Sequence, residues 1–124
     1  MSDIDLTTCL ETYLQMLDAR NLDACVAAYT DDAVIHFAMG VYTGKDSITE
    51  WHRDRFEAEL RVLSHERMVV KAQQVRIEMM ITSKRIKAWR INTLRTKGVF
   101  SFVGAKIKEV RFSMVGANPL EGWQ

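Results

Sequence analysis

Cysteine, proline and long apolar runs are scarce in this chain, and each scarcity closes off a class of protein. There are two cysteines in 124 residues. Cys9 and Cys25 both fall at apolar helix positions, where a buried thiol serves as a small hydrophobe. A disulfide or a metal site would need an oxidising compartment or further ligands, and the sequence points to neither. No apolar run approaches the roughly 18 residues that a membrane span requires. The first residues, MSDIDLTTCLE, are acidic and lack the basic and apolar regions of a signal peptide, so a cytoplasmic location is expected. The one proline lies in 116–124, a stretch that reads as a tail. Repeats, low-complexity segments and linkers are missing too, which predicts a single domain over 1–124. So are the motifs of phosphate loops, dinucleotide folds, serine elbows and Cys/His pairs. The three histidines, His36, His52 and His65, have no close ligand spacing. Neither a metal nor a cofactor is expected.

Apolar residues and an uneven spread of charge are what the chain does have. Apolar residues make up 48%, with five Phe, three Tyr and three Trp, enough to build one core and line a pocket. Net charge is only +1, yet residues 1–60 carry four Lys/Arg against twelve Asp/Glu, and residues 61–124 carry thirteen against four. Such asymmetry fits a nucleic-acid surface, acidic helices covering a basic sheet, or a basic sheet face meeting another subunit. The basic residues alternate along strands and are not gathered with stacking aromatics, so no nucleic-acid partner is expected, and no membrane partner.

Periodicity divides the chain into helices followed by strands. Residues 4–19 place Ile4, Leu6, Leu10, Tyr13, Leu14 and Leu17 on one helix face with Met16 at its edge, and Thr7 or Thr8 as the cap. Asn21 caps a second helix over 22–30. Ala33–Phe37 alternates as a strand, with Ala33, Ile35 and Phe37 on one side and Val34 and His36 on the other. A turn over 38–44 leads to a third helix over 47–60, capped by Asp46 and carrying Ile48, Trp51, Arg55, Phe56 and Leu60 inward. The period then changes to two. Strands are predicted over 62–72, with a kink near Ser64 and His65, and over 75–82. Residues 84–91 fit a strand or a helical turn and read as an ordered connection. A strand over 92–103 with a bulge at Gly98, a tight turn at 104–106 and a strand over 107–115 close the sheet. Val110, Phe112 and Met114 share one face of that last strand. The fold class is α+β: three N-terminal helices packed on a curled, mainly antiparallel sheet, a cone whose mouth can hold a ligand.

That order resembles the nuclear transport factor 2-like superfamily and, within it, the SnoaL-like branch. The pieces that carry the resemblance are Tyr13-Leu14 with Asp18-Ala19-Arg20-Asn21-Leu22-Asp23, Tyr29-Thr30-Asp31-Asp32-Ala33-Val34, Gly44-Lys45-Asp46-Ser47-Ile48, and the closing Gly104-Ala105-Lys106-Ile107. The superfamily implies a cone-shaped barrel, and its members range from isomerases, cyclases, epoxide hydrolases and dehydratases to non-catalytic binding modules. It also implies a homodimer through the outer sheet face. Tyr13 falls where steroid isomerases keep an oxyanion-hole tyrosine. Their general-base aspartate would fall at Phe37 and their second acid near Gly98. That chemistry needs a carboxylate base and a protonated carboxylic acid, so steroid isomerisation is not expected.

Three residues are candidates for catalysis. The Tyr13 phenol can donate to a ligand oxygen, or fill the core and find a backbone partner. His36 is a proton shuttle by type, although alternation turns it away from Phe37. Arg55, on a largely apolar stripe, needs either an acid such as Asp31 or Asp32, or an anionic or carbonyl-bearing ligand. His52, which shares its helix with Asp54 and Arg55, reads as exposed. Met16, Phe37, Trp51, Phe56, Phe100 and Met114 are candidates to line the ligand site, and Trp89 with Arg90 either forms a lid or covers the core edge. The function expected is binding of an apolar, oxygen-bearing small molecule, with cofactor-free isomerisation, cyclisation or dehydration as its chemistry. The alternative is a non-catalytic dimeric module whose basic face, Arg76, Arg95, Lys97 and Arg111, meets a second copy or an acidic partner.

Overall fold

Asp5, rather than Thr7 or Thr8, caps the first helix. In the computed structural model, which describes residues 5–37, 40–88 and 93–114, its carboxylate accepts the backbone N–H and the hydroxyl of both threonines. An aspartate outbids a hydroxyl here because one carboxylate takes four donors. Helix α1 (Leu6–Asp18) buries Leu6, Leu10, Tyr13, Leu14 and Leu17, the stripe expected from spacing. Helix α2 (Leu22–Ala27) is capped by Asn21, whose side chain accepts the Ala24 N–H. It stops short of the predicted residue 30 because Tyr29 already pairs as the first residue of strand β1 (Tyr29–Phe37).

The predicted turn is in part a strand. Strand β2 (Gly40–Thr43) runs antiparallel to β1, with Ile35 opposite Tyr42 and Phe37 opposite Gly40. Gly44 then takes φ +88°, a conformation few side chains tolerate, and opens helix α3 (Gly44–Glu57) with no connecting loop. Thr43 is its N-cap position and makes no side-chain cap bond. Asp46 lies inside the first turn, where its charge meets the positive end of the helix. Lys45 ties α3 to α2 by donating to the Val26 carbonyl at 2.8 Å.

The remaining strands are β3 (Arg61–Lys71), β4 (Gln74–Thr82), β5 (Leu94–Val103) and β6 (Lys106–Met114), with a short helix α4 (Lys84–Ala88) between β4 and β5. So the ambiguous 84–91 stretch begins as a helix; residues 89–91 lie outside the described residues. The sheet order is β2-β1-β6-β5-β4-β3. All neighbours are antiparallel except β1 and β6, which run parallel, so the sheet is mixed; it is curled and not closed. Gly98 carries no bulge: it pairs in register with Ile77 on one side and Phe112 on the other. The irregularity falls instead between Ser101 and Phe102. In β3 the register shifts near the expected kink, between Val62 and Ser64, and again between Glu66 and Val69.

Helices α1–α3 lie against the concave side of the sheet. The core between them contains Leu10, Tyr29, Ile35, Ile48, Ile77, Phe100, Ile107 and Val110, all essentially without solvent contact. Each such side chain contributes about 1.5–3 kcal/mol on burial. No described helix is long and apolar enough to cross a membrane.

Candidate functional site: the aromatic interior of the cone

Three elements meet at one buried hydrogen-bonded chain. Tyr13 comes from α1, Tyr29 from the start of β1 and His52 from α3. The Tyr29 hydroxyl lies 2.7 Å from that of Tyr13, which lies 2.8 Å from His52 Nε2. His52 Nδ1 lies 2.7 Å from the Ile48 carbonyl one turn earlier. A carbonyl only accepts, so Nδ1 carries the ring proton and Nε2 is the acceptor. Tyr13 therefore donates to His52, and Tyr29 donates to Tyr13. His52 is fully buried, which corrects the expectation that it is exposed. Its charged neighbours in sequence point outward, while the helix repeat aligns Ile48, His52 and Phe56 inward.

Burial fixes the protonation of all three. Loss of water pushes the His52 imidazole down to about 4, aided by the charge of Arg55 and opposed by the Ile48 carbonyl. Burial also drives the Tyr13 phenol far above its usual range, and the Tyr29 phenol likewise upward. The Cys25 thiol, buried nearby, rises to about 12. The chain is thus neutral at neutral pH.

Beside it lies a cluster of rings. Trp51 stacks on Phe112 at 5.6 Å and 7°, and Phe37 meets Trp51 edge-on at 5.5 Å. Phe100 meets Phe112 at 5.7 Å and Tyr13 at 6.1 Å. Phe56 packs on His52 at 6.2 Å. The Arg55 guanidinium carbon sits 4.5 Å from the Phe37 ring centre and 5.4 Å from that of Trp51, with the residue only 7% exposed. Trp51 Nε1 is buried and has no hydrogen-bond partner among the described residues. Gly98 makes room for this packing, because a Cβ there would lie 2.7 Å from Phe100 Cε1.

The structure thus gathers Tyr13, Phe37, Trp51, Arg55, Phe56 and Phe100. Met16 is half-buried at the rim of the core, with its sulfur 3.8 Å from the Asn21 side-chain nitrogen. Asp31 and Asp32 are exposed, and Asp32 accepts the Thr30 hydroxyl. His36 is on the opposite face of the sheet, where Nε2 lies 2.8 Å from Glu109, which also pairs with Arg111 at 3.2 Å. Trp89 and Arg90, and the side chain of Met114, lie outside the described residues. Tyr29, His52 and Phe112 are the residues that sequence reasoning missed. Phe112 was already on the inward face of its strand, and His52 was on the inward stripe of its helix.

Buried side chains pack the interior of the cone. An open cavity of about 670 Å³ lies elsewhere, between α1 and β3, lined in part by Glu11, Leu14, Val62 and Leu63. No cluster of three His, Cys, Asp or Glu among the described residues is placed to hold a metal ion.

Comparison with known proteins agrees with this architecture. A family model described as a SnoaL-like domain matches residues 10–111. No curated protein matches the sequence. Among solved structures, a proposed polyketide cyclase from Sinorhizobium meliloti superposes with a TM-score of 0.77 at 13% identity, covering 91% of this chain and all of that one. SalBIII, an epoxide hydrolase/cyclase-like enzyme of pyran ring formation in the polyether salinomycin, superposes with a TM-score of 0.78 at 16% identity, covering 88% and 89% of the two chains. A nuclear transport factor 2-like protein from Anabaena variabilis gives 0.72 at 18% identity, covering 90% and 87%. At such identities the likeness is one of fold.

Proposed function

The chain belongs to the SnoaL-like domain family, and from that premise we propose that it binds an apolar, oxygen-bearing small molecule inside the cone. The observation that carries this reading is the Tyr29–Tyr13–His52 run of hydrogen-bonding groups set beside the rings of Phe37, Trp51, Phe100 and Phe112, with the Arg55 guanidinium over two of those rings. A few polar groups within an apolar lining favour a guest with an electron-rich oxygen on an otherwise greasy body. The test is native mass spectrometry of the chain as purified, followed by calorimetry with apolar ketones and acids. A bound small molecule that is lost in Arg55→Met is expected. Bare polypeptide with no heat of binding from any of the compounds overturns the reading.

A second reading, cofactor-free isomerisation, cyclisation or dehydration, is favoured by the Tyr29–Tyr13–His52 chain and by the cyclase-like structures. Here Arg55 polarises the ligand oxygen, and Tyr13 takes the ligand's proton as it passes its own to His52 Nε2. His36 takes no part in this, being on the outer face with Glu109. The measurement is solvent deuterium entering the position next to the carbonyl of a bound ketone. Its rate is expected to fall about a hundredfold in Tyr13→Phe; an unchanged rate removes Tyr13 from the chemistry.

The reading also takes the chain as one cytoplasmic domain that forms a homodimer through the outer sheet face. Bases and acids interleave there: Arg76, Arg95, Lys97 and Arg111 are exposed, with Glu66, Glu78 and Glu109 among them. Such a pattern is self-complementary about a two-fold axis.

A further inference from the structure

The ring cluster contains a donor with nothing to donate to. Trp51 is 2% exposed, yet its indole N–H has no acceptor among the described residues. A buried donor left without a partner is costly, and such donors mark places where an acceptor arrives with something else. The plane of Trp51 is already used, one ring against Phe112. Its other aromatic neighbour on the sheet is Phe37, the last residue of β1. Phe37 is only partly buried, unlike Phe100, and it touches Trp51, Phe112 and the Arg55 cation together. It occupies the place of a guest without offering the oxygen a guest could bring.

Resting on the binding reading above, we propose that Trp51 is a specificity residue whose indole N–H takes the carbonyl oxygen of a planar, conjugated ligand, and that the Phe37 ring is the plug this ligand displaces. A flat guest inherits the edge-on contacts of the displaced ring and the face toward Arg55. Its carbonyl adds the one bond that no phenylalanine can make.

Two compounds of one shape separate the terms: 2-acetylnaphthalene, with an acceptor, and 2-ethylnaphthalene, without one. Calorimetry on the unaltered chain is expected to give about tenfold tighter binding of the ketone. In Trp51→Phe, which keeps a ring in place, that ratio falls to about one. In Phe37→Ala both compounds bind more tightly and the ratio is kept. The Trp51 indole proton resonance of the unaltered chain, assigned through its nuclear Overhauser contacts with the Phe37 and Phe112 rings, moves downfield with the ketone and not with the hydrocarbon. This second readout does not depend on a variant folding. Binding with the same ratio in Trp51→Phe, or an indole resonance indifferent to saturating ketone, overturns this inference and leaves the binding reading standing. Binding of neither compound, in the unaltered chain or in Phe37→Ala, also overturns this inference, and the binding reading falls only if the purified chain is in addition bare and silent towards the other apolar ketones and acids.

Discussion

At the scale of single residues, His52 makes the sharpest prediction. Its folded value is about 4, below the ordinary 6.5, so the unfolded chain holds more protons between those values. Its contribution is intact above pH 6.5 and is lost as pH falls towards 4, by at most about 1.4 kcal/mol per pH unit and about 3 kcal/mol in all. The carboxylate of Asp18, held low by its hydrogen bond from Arg61, loses its contribution only below 3.8. The loss that Asp18 brings is thus centred below the window of His52. Urea titrations across it should show a slope that flattens in His52→Gln; an identical slope in the variant would mean that the imidazole does not carry it. Gly98→Ala is a second test. The new methyl must push Phe100 off the rings of Tyr13 and Phe112, at a net cost of about 1–3 kcal/mol in urea unfolding. The inward stripe Ile48–His52–Phe56 was legible from helix spacing, yet the charged residues after His52 suggested solvent. The Tyr13–His52 bond was not legible, since it joins residues 39 positions apart.

At the scale of elements, local chemistry was readable where one segment decides its own structure. The stripe of α1, the Asn21 cap and the period-two strands of the second half follow from spacing and from side chains that bond their own backbone. What failed turned on local pairing and capping choices that periodicity does not reveal. Gly40–Thr43 reads as a turn between two glycines and becomes a strand only because β1 offers it an edge. Asp5 was overlooked as a cap because two hydroxyl residues follow it. Its replacement should weaken the helix that carries Tyr13: Asp5→Ala is expected to lower the thermal midpoint by about 4 °C and Thr8→Ala by less. Equal effects would return the cap to the threonines.

At the scale of the whole molecule, the charge asymmetry has a place in the fold. The acidic half supplies α1–α3 and the basic half supplies most of the sheet. On the outer face the bases are interleaved with Glu66, Glu78 and Glu109, a mixture that the count of charges by halves does not reveal. If that face meets a second copy, sedimentation should find a dimer at low salt that weakens as salt rises, and Arg111→Glu should yield monomer. A monomer at every salt concentration would turn the outer face back to water. The cone itself was legible in outline, through the order of helices and strands. Its filling was not, because ring-on-ring packing depends on β1, β5, β6 and α3 converging.

The parallel seam between β1 and β6 has a bearing on how the protein is born. β1 leaves a ribosome well before β6, so the centre of the sheet is sewn from segments made far apart in time. Until Ile107 and Val110 emerge, the β1–β2 ribbon has no inner neighbour, and the rings of Phe37 and Trp51 wait without Phe112. Closure of the sheet must therefore wait for β6, and pairing between segments so far apart in sequence is the kind that slows folding.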